Sequence, residues 1–111
     1  MKKIIPFLMA LLLLAGCGAQ SEESSYIILD VRTTEEYSEK HIPGAINIPN
    51  ETIGDQDIPE LPDKEQLILV YCRSGNRSKQ ASEKLVKLGY TNIVEFGGIN
   101  DWTGETVSGE A

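Results

Sequence analysis

LILVYCRSGNRS, Leu67 to Ser78, changes character in its middle. Five apolar residues run up to Tyr71, a cysteine follows, and Arg73, Ser74, Gly75, Asn76 and Arg77 make a polar loop. An apolar run of this length is too short for a buried helix and suits a strand at the centre of a sheet, covered on both faces. Cys72 then comes directly after the strand, at its carboxyl end. Beyond the loop, Ala81, Leu85 and Leu88 fall at helical spacing among Lys79, Glu83, Lys84 and Lys87, and Gly89 supplies a stop. That pattern predicts a helix over 77–88.

Upstream of this strand, YIILDV (26–31) is a second apolar, β-branched run, ended by Asp30 and Arg32. Thr33 with Glu36 three residues later is a capping-box pattern and predicts a short helix reaching Lys40. His41-Ile42-Pro43-Gly44 is a turn with Pro and Gly in type II order, ahead of a short strand over 45–48. Residues 50–63 carry Pro59, Pro62 and several acids, with one helical turn near Glu51. Downstream, 92–96 is another strand, broken by Gly97-Gly98 before a final turn that carries Trp102. Strands alternating with helices in so short a chain predict a single α/β domain over 26–111, with a mainly parallel sheet flanked by helices and right-handed crossovers. Ligand sites in such sheets lie beyond the carboxyl ends of the strands, which is where Cys72 falls.

The amino terminus is of a different kind. Lys2 and Lys3 precede an apolar run over 4–15 that is too short to span a bilayer, and it ends in Leu14-Ala15-Gly16-Cys17. A basic start, a short apolar core and small residues before a cut describe an export signal over 1–16. The last four residues resemble the lipobox of bacterial lipoproteins. That resemblance implies cleavage before Cys17 and a diacylglyceryl group on its sulfur, with multiple acyl chains giving stable anchoring. GAQSEESS (18–25) is polar and without apolar periodicity, a tether that reaches at most roughly 29 Å when extended. The expected location is extracytoplasmic, lipid-anchored at the cell-surface or periplasmic face of a bacterial membrane. Losing Lys2 and Lys3 takes the formal charge from −7 to −9, since all 17 acids stay. Such an acidic body excludes a polybasic membrane surface and a nucleic-acid partner. A lipidated Cys17 leaves Cys72 as the one free thiol of a monomeric domain, with no internal disulfide to form.

A thiol reacts as thiolate, which cationic neighbours and a helix N-terminus favour. Arg73 and Arg77 flank Cys72, and the helix beginning near Arg77 aims its positive dipole end at the sulfur. Ser74, Gly75 and Asn76 let the chain curl so that successive N–H groups form an anion-binding nest. Free cysteines are often only small buried hydrophobes. Two arginines and a glycine loop argue for chemistry instead.

The loop Cys72-Arg73-Ser74-Gly75-Asn76-Arg77-Ser78 resembles the active-site loop of the rhodanese, or thiosulfate sulfurtransferase, family. Asp30-Val31-Arg32, His41-Ile42-Pro43-Gly44-Ala45 and Gly97-Gly98-Ile99 with Trp102 are similar to its other motifs, in the same order. The resemblance implies a two-step transfer in which Cys72 takes a sulfane sulfur from a small anion such as thiosulfate, then passes it from the persulfide to a thiol or protein acceptor. It implies no metal and no organic cofactor. Within it, N–H groups from Arg73 to Arg77 stabilise the persulfide, and Arg73 attracts the donor. Arg77 closes the loop, through backbone carbonyls or by touching substrate. Asp30 and Arg32 brace the strand end, His41 and Trp102 are structural, and Ser74 and Ser78 are hydrogen-bonders or caps.

Three other readings compete. A rhodanese-like domain can carry persulfide sulfur, or bind a partner, without turnover. Related cysteine phosphatases and arsenate reductases also use a Cys-to-Arg loop, but theirs is one residue longer than the four residues between Cys72 and Arg77. Thiol redox work lacks a resolving cysteine.

Overall fold

The computed structural model describes residues 25–109. The signal segment 1–16, Cys17 and all of the tether but Ser25 lie outside the described residues. The elements run β1 (Ile27–Asp30), α1 (Thr34–Glu39), β2 (Ile46–Asn47), a 3-10 turn (Asn50–Thr52), β3 (Ile68–Cys72), α2 (Asn76–Lys87), β4 (Ile93–Gly98) and a second 3-10 turn (Ile99–Asp101). The domain is α/β with one four-stranded sheet in the order β2-β1-β3-β4, parallel throughout.

Local chemistry accounts for the element ends. The capping box closes as the sequence predicts: Thr33 Oγ1 accepts the Glu36 N–H at 3.2 Å and Glu36 Oε1 accepts the Thr33 N–H at 3.0 Å. At the far end of α2, Gly89 adopts φ 103°, the left-handed conformation that ends helices. Expected boundaries move by a residue or two, and three of these bear on the site. Cys72 is the last residue of β3 and not the one after it, α2 begins at Asn76, and β4 runs through Gly97 to Gly98 without breaking at Phe96. The glycine pair bends the strand and does not end it. Val70 faces Glu95 and Cys72 faces Gly98, so β4 holds one extra residue there, and Gly97 takes the bulge at φ 101°.

Side chains alternate along β3, which puts Ile68, Val70 and Cys72 on one face and Tyr71 on the other. The first face packs with Leu29, Val31, Ala81 and Leu85 into the main core beneath α2. Each fully buried Leu or Val there contributes roughly 1.5–3 kcal/mol, so this face holds the sheet to the helix whose N-terminus overlies Cys72. The second face holds a smaller cluster of Ile42, Ala45, Tyr71 and Ile99. It does not extend across the sheet: Tyr26, Val94, Phe96 and Trp102 stay exposed. Coverage on both faces therefore holds for the Cys72 end of β3 and fails toward β4.

Candidate active site

Three elements build the site around Cys72. The end of β3 delivers the sulfur to the core face, where the residue is 1% exposed. Gly75 then turns the chain at φ 116°, a conformation that only glycine takes without strain, and α2 starts at once. The turn brings the Gly75 N–H to 3.0 Å from Sγ, and Ser78 Oγ lies 3.4 Å away on the first turn of α2. The first N–H groups of a helix have no partner within it, so the sulfur is the acceptor they meet.

Burial pushes the Cys72 thiol up, but the Ser78 hydroxyl and the N–H groups of Ser78, Gly75 and Ser74 outweigh it and hold the thiol below its ordinary value. Hydrogen bonds from the loop and the start of α2 thus lead over the flanking arginines, of which Arg77 is coupled to the sulfur's charge. Arg73 is exposed at the loop surface, where its carbonyl accepts the Asn100 N–H at 3.1 Å. Arg77 turns to α1 and grips Glu36 with two hydrogen bonds of 2.9 and 3.2 Å. It therefore closes the loop onto a carboxylate of another element, not onto the loop's carbonyls. Arg77's hydrogen bond pulls the Glu36 carboxyl down to about 2, overriding burial, with the Thr33 cap adding to it.

Gly98 lets the loop lie close to β4. A Cβ there would stand 2.1 Å from the Arg73 carbonyl oxygen and 2.6 Å from the Ser74 nitrogen. Beside the loop, a cleft of about 290 Å³ is lined by Arg32, Glu36, Glu39, Lys40, Arg73 and Asn100, a mixed-charge set. A cleft of about 380 Å³ elsewhere is lined by Thr52, Asp55, Asp57 and Glu60 and lies away from Cys72.

Asp30 and Arg32 form a fully buried pair. Asp30 accepts from the Arg32 backbone and guanidinium, the shortest contact being 2.6 Å, and also from the Tyr71 hydroxyl at 2.7 Å. Tyr71 in turn accepts the Ile42 N–H at 3.1 Å. Burial, joined by the bond to Asp30, pushes the Tyr71 phenol up, so it stays a donor. This cluster ties β1, β3 and the His41 turn together. His41 is buried, stacks on Tyr37 at 3.7 Å, and has Nδ1 2.8 Å from the Tyr37 carbonyl. Trp102 packs near Phe96 at 6.3 Å between ring centres.

Two residues at the site escape a reading of the sequence. Tyr71 reads only as the end of an apolar run. Glu95 is the second: its carboxylate accepts the Ser78 hydroxyl at 2.6 Å and the Gly97 N–H at 2.8 Å. The available signal was an acid at a core-facing position of a strand, between Ile93 and Gly97.

The chain is similar to known proteins. The family model described as "Rhodanese-like domain" matches residues 16–105. Thiosulfate sulfurtransferase PspE of Escherichia coli is 41% identical over 73 residues, covering 66% of this chain and 70% of that protein. A putative sulfur carrier protein, YrkF of Bacillus subtilis, is 36% identical over 76% of this chain but only 45% of its own length. Among solved structures, an E. coli rhodanese with anions superposes with a TM-score of 0.70 at 38% identity, over 77% of this chain and 100% of that one.

Proposed function

We propose, since the chain belongs to the rhodanese-like domain family, that it moves a sulfane sulfur from thiosulfate or a similar donor to a thiophilic acceptor through a persulfide on Cys72. The observation that carries this reading is the Gly75 N–H at 3.0 Å from a buried sulfur whose thiol is held below its ordinary value. In the first step the Cys72 thiolate attacks the outer sulfur of thiosulfate. The donor's S–S bond breaks, sulfite leaves with its electron pair, and a new S–S bond forms on Cys72. The N–H groups of Ser74, Gly75 and Asn76, with Arg73 at the mouth, hold the terminal sulfur's negative charge. In the second step an acceptor such as cyanide or a thiol attacks that sulfur and Cys72 leaves as thiolate. Asp30 and Arg32 act structurally, by fixing the end of β3.

Arg77 spends its guanidinium on Glu36, which counts against a loop built around a phosphate group. The likeness to a putative sulfur carrier supports a second reading, in which the persulfide is stable until one partner protein unloads it. We also propose that Cys17 is lipidated and holds the domain outside the cytoplasm. The test of the main reading is thiocyanate production from thiosulfate and cyanide by the full chain, beside Cys72→Ser. Turnover confined to the unaltered chain supports sulfur transfer, and a persulfide without turnover favours the carrier. Equal rates in both proteins would sink catalysis by Cys72.

A further inference from the structure

The sheet carries α2 on one face and is open over part of the other. On that second face Ile28 of β1, Leu69 of β3 and Val94 of β4 stand side by side in register. With Tyr26, Phe96 and Trp102 they line a cleft of about 330 Å³ that has no charged side chain in its lining. Glu95, between Val94 and Phe96, turns to the opposite face and meets Ser78 Oγ at 2.6 Å, so alternation along β4 keeps its charge off the cleft. The Trp102 indole N–H donates to the Glu105 carbonyl at 2.9 Å, and the ring carries no unmet donor. Tyr26, Val94, Phe96 and Trp102 are each 38–50% exposed. Large apolar side chains exposed singly need no explanation, but a cluster of them marks an interaction site.

The root of the tether selects the occupant. β1 pairs with β3 from Ile27 onward, and Gln66 Nε2 donates to the Ser25 carbonyl at 3.2 Å, which fixes Ser25 and Tyr26 at the rim of this cleft. The segment 18–25 therefore leaves the domain there, and a lipid on Cys17 would lie within roughly 29 Å of the rim. So short a link holds the cleft at an effective concentration on the order of mM at the bilayer, where a contact too weak to retain an untethered protein suffices. Tyrosine and tryptophan rings settle at the membrane–water boundary, with an apolar body and a polar tip. Without Lys2 and Lys3 the formal charge goes from −7 to −9, which favours zwitterionic over anionic headgroups. We propose that this face docks on the bilayer, with Tyr26, Phe96 and Trp102 entering the headgroup region of zwitterionic lipid. Cys72 lies on the opposite face, in the core beneath α2, so docking leaves the sulfur clear of lipid. The inference rests on the reading that Cys17 is lipidated, and the two are measured separately.

Trp102 is the chain's one tryptophan, so its emission reads this face alone. The full chain, expressed in a bacterium and purified from its membranes, is placed in phosphatidylcholine vesicles that carry bromine at set depths on the acyl chains. The expected result is loss of Trp102 emission, greater with bromine near the headgroups than near the chain ends, because an interfacial apolar face sits about 5–10 Å deep. Val94→Asp puts a charge into the cleft at an exposed position and should abolish the quenching with an unchanged circular dichroism spectrum. Tyr26→Asp, outside the strands, serves in its place if the first variant does not fold. A chain that stays off the vesicles, a bound chain whose Trp102 is unquenched, or quenching that survives the substitution would overturn the proposal. So would a dimer in sedimentation whose Trp102 emission is blue-shifted without lipid, which gives the face to a second copy. Intact mass reads Cys17 independently. Quenching with an unmodified Cys17 would uphold docking and refute lipidation, and an acylated Cys17 with Trp102 unquenched would do the reverse.

Discussion

Gly98→Ala isolates the contact that sets the height of the Cys72 loop over β4. Gly98 has φ −142°, a conformation open to any residue, so backbone strain plays no part. The obstacle is space. The new methyl would sit 2.1 Å from the Arg73 oxygen, and ordinary contact begins at 3.4 Å. Both neighbours, Arg73 and Ser74, meet it with backbone, so no rotamer change gives relief. The loop must lift, or β4 must drop, by roughly 1.3 Å, and overpacking of this kind costs about 1–3 kcal/mol. A shift near 1 Å in reacting groups costs about 100-fold in rate. The expectation is a folded protein with a lower urea midpoint and thiocyanate formation reduced about 100-fold. Gly44→Ala is the control: it meets nothing within 4 Å but carries φ 86°, so it should lose stability and keep its activity. Wild-type activity in Gly98→Ala would refute the claim that this contact positions the loop.

Two further predictions concern the scaffold. Asp30→Asn leaves the Arg32 guanidinium buried without its counter-charge and should cost about 3–5 kcal/mol in denaturant unfolding; a cost below 1 kcal/mol would show that the pair is not needed. Glu36→Gln removes the bidentate grip on Arg77, for about 1 kcal/mol at neutral pH given the partial exposure of both groups. The Glu36 carboxyl is held at about 2, below its ordinary 4.5, so the pair's stabilisation is complete above pH 4.5 and is lost as pH falls toward 2. The stability gap between the two proteins should close over that window, and a gap constant with pH would remove the ion pair as its cause.

Much of this molecule is legible in local sequence. The run up to Tyr71 marks β3, Thr33 and Glu36 mark the start of α1, and the placing of Cys72 at a strand's carboxyl end follows from α/β topology. What stays hidden depends on pairings across the chain. Glu36 reads as a capping residue, and nothing local shows that it also meets Arg77, 41 positions away. For the same reason the arginines beside Cys72 stand out in the sequence, whereas the leading influences on the sulfur, hydrogen bonds from Ser78, Gly75 and Ser74, do not. Gly97-Gly98 looks like a strand breaker until the register shows a bulge at one glycine and a backbone crossing at the other. Glu95 needs the same register before its facing of Ser78 can be seen.

Persulfide formation tests the role of Cys72 most directly. The full chain is incubated with thiosulfate alone, and the Cys72 peptide is weighed before and after reduction. One added sulfur on Cys72, removed by a reducing thiol and absent from Cys72→Ser, is the predicted result. A folded chain whose Cys72 stays unmodified, while its thiol still reacts with iodoacetamide, would contradict sulfur transfer through this residue.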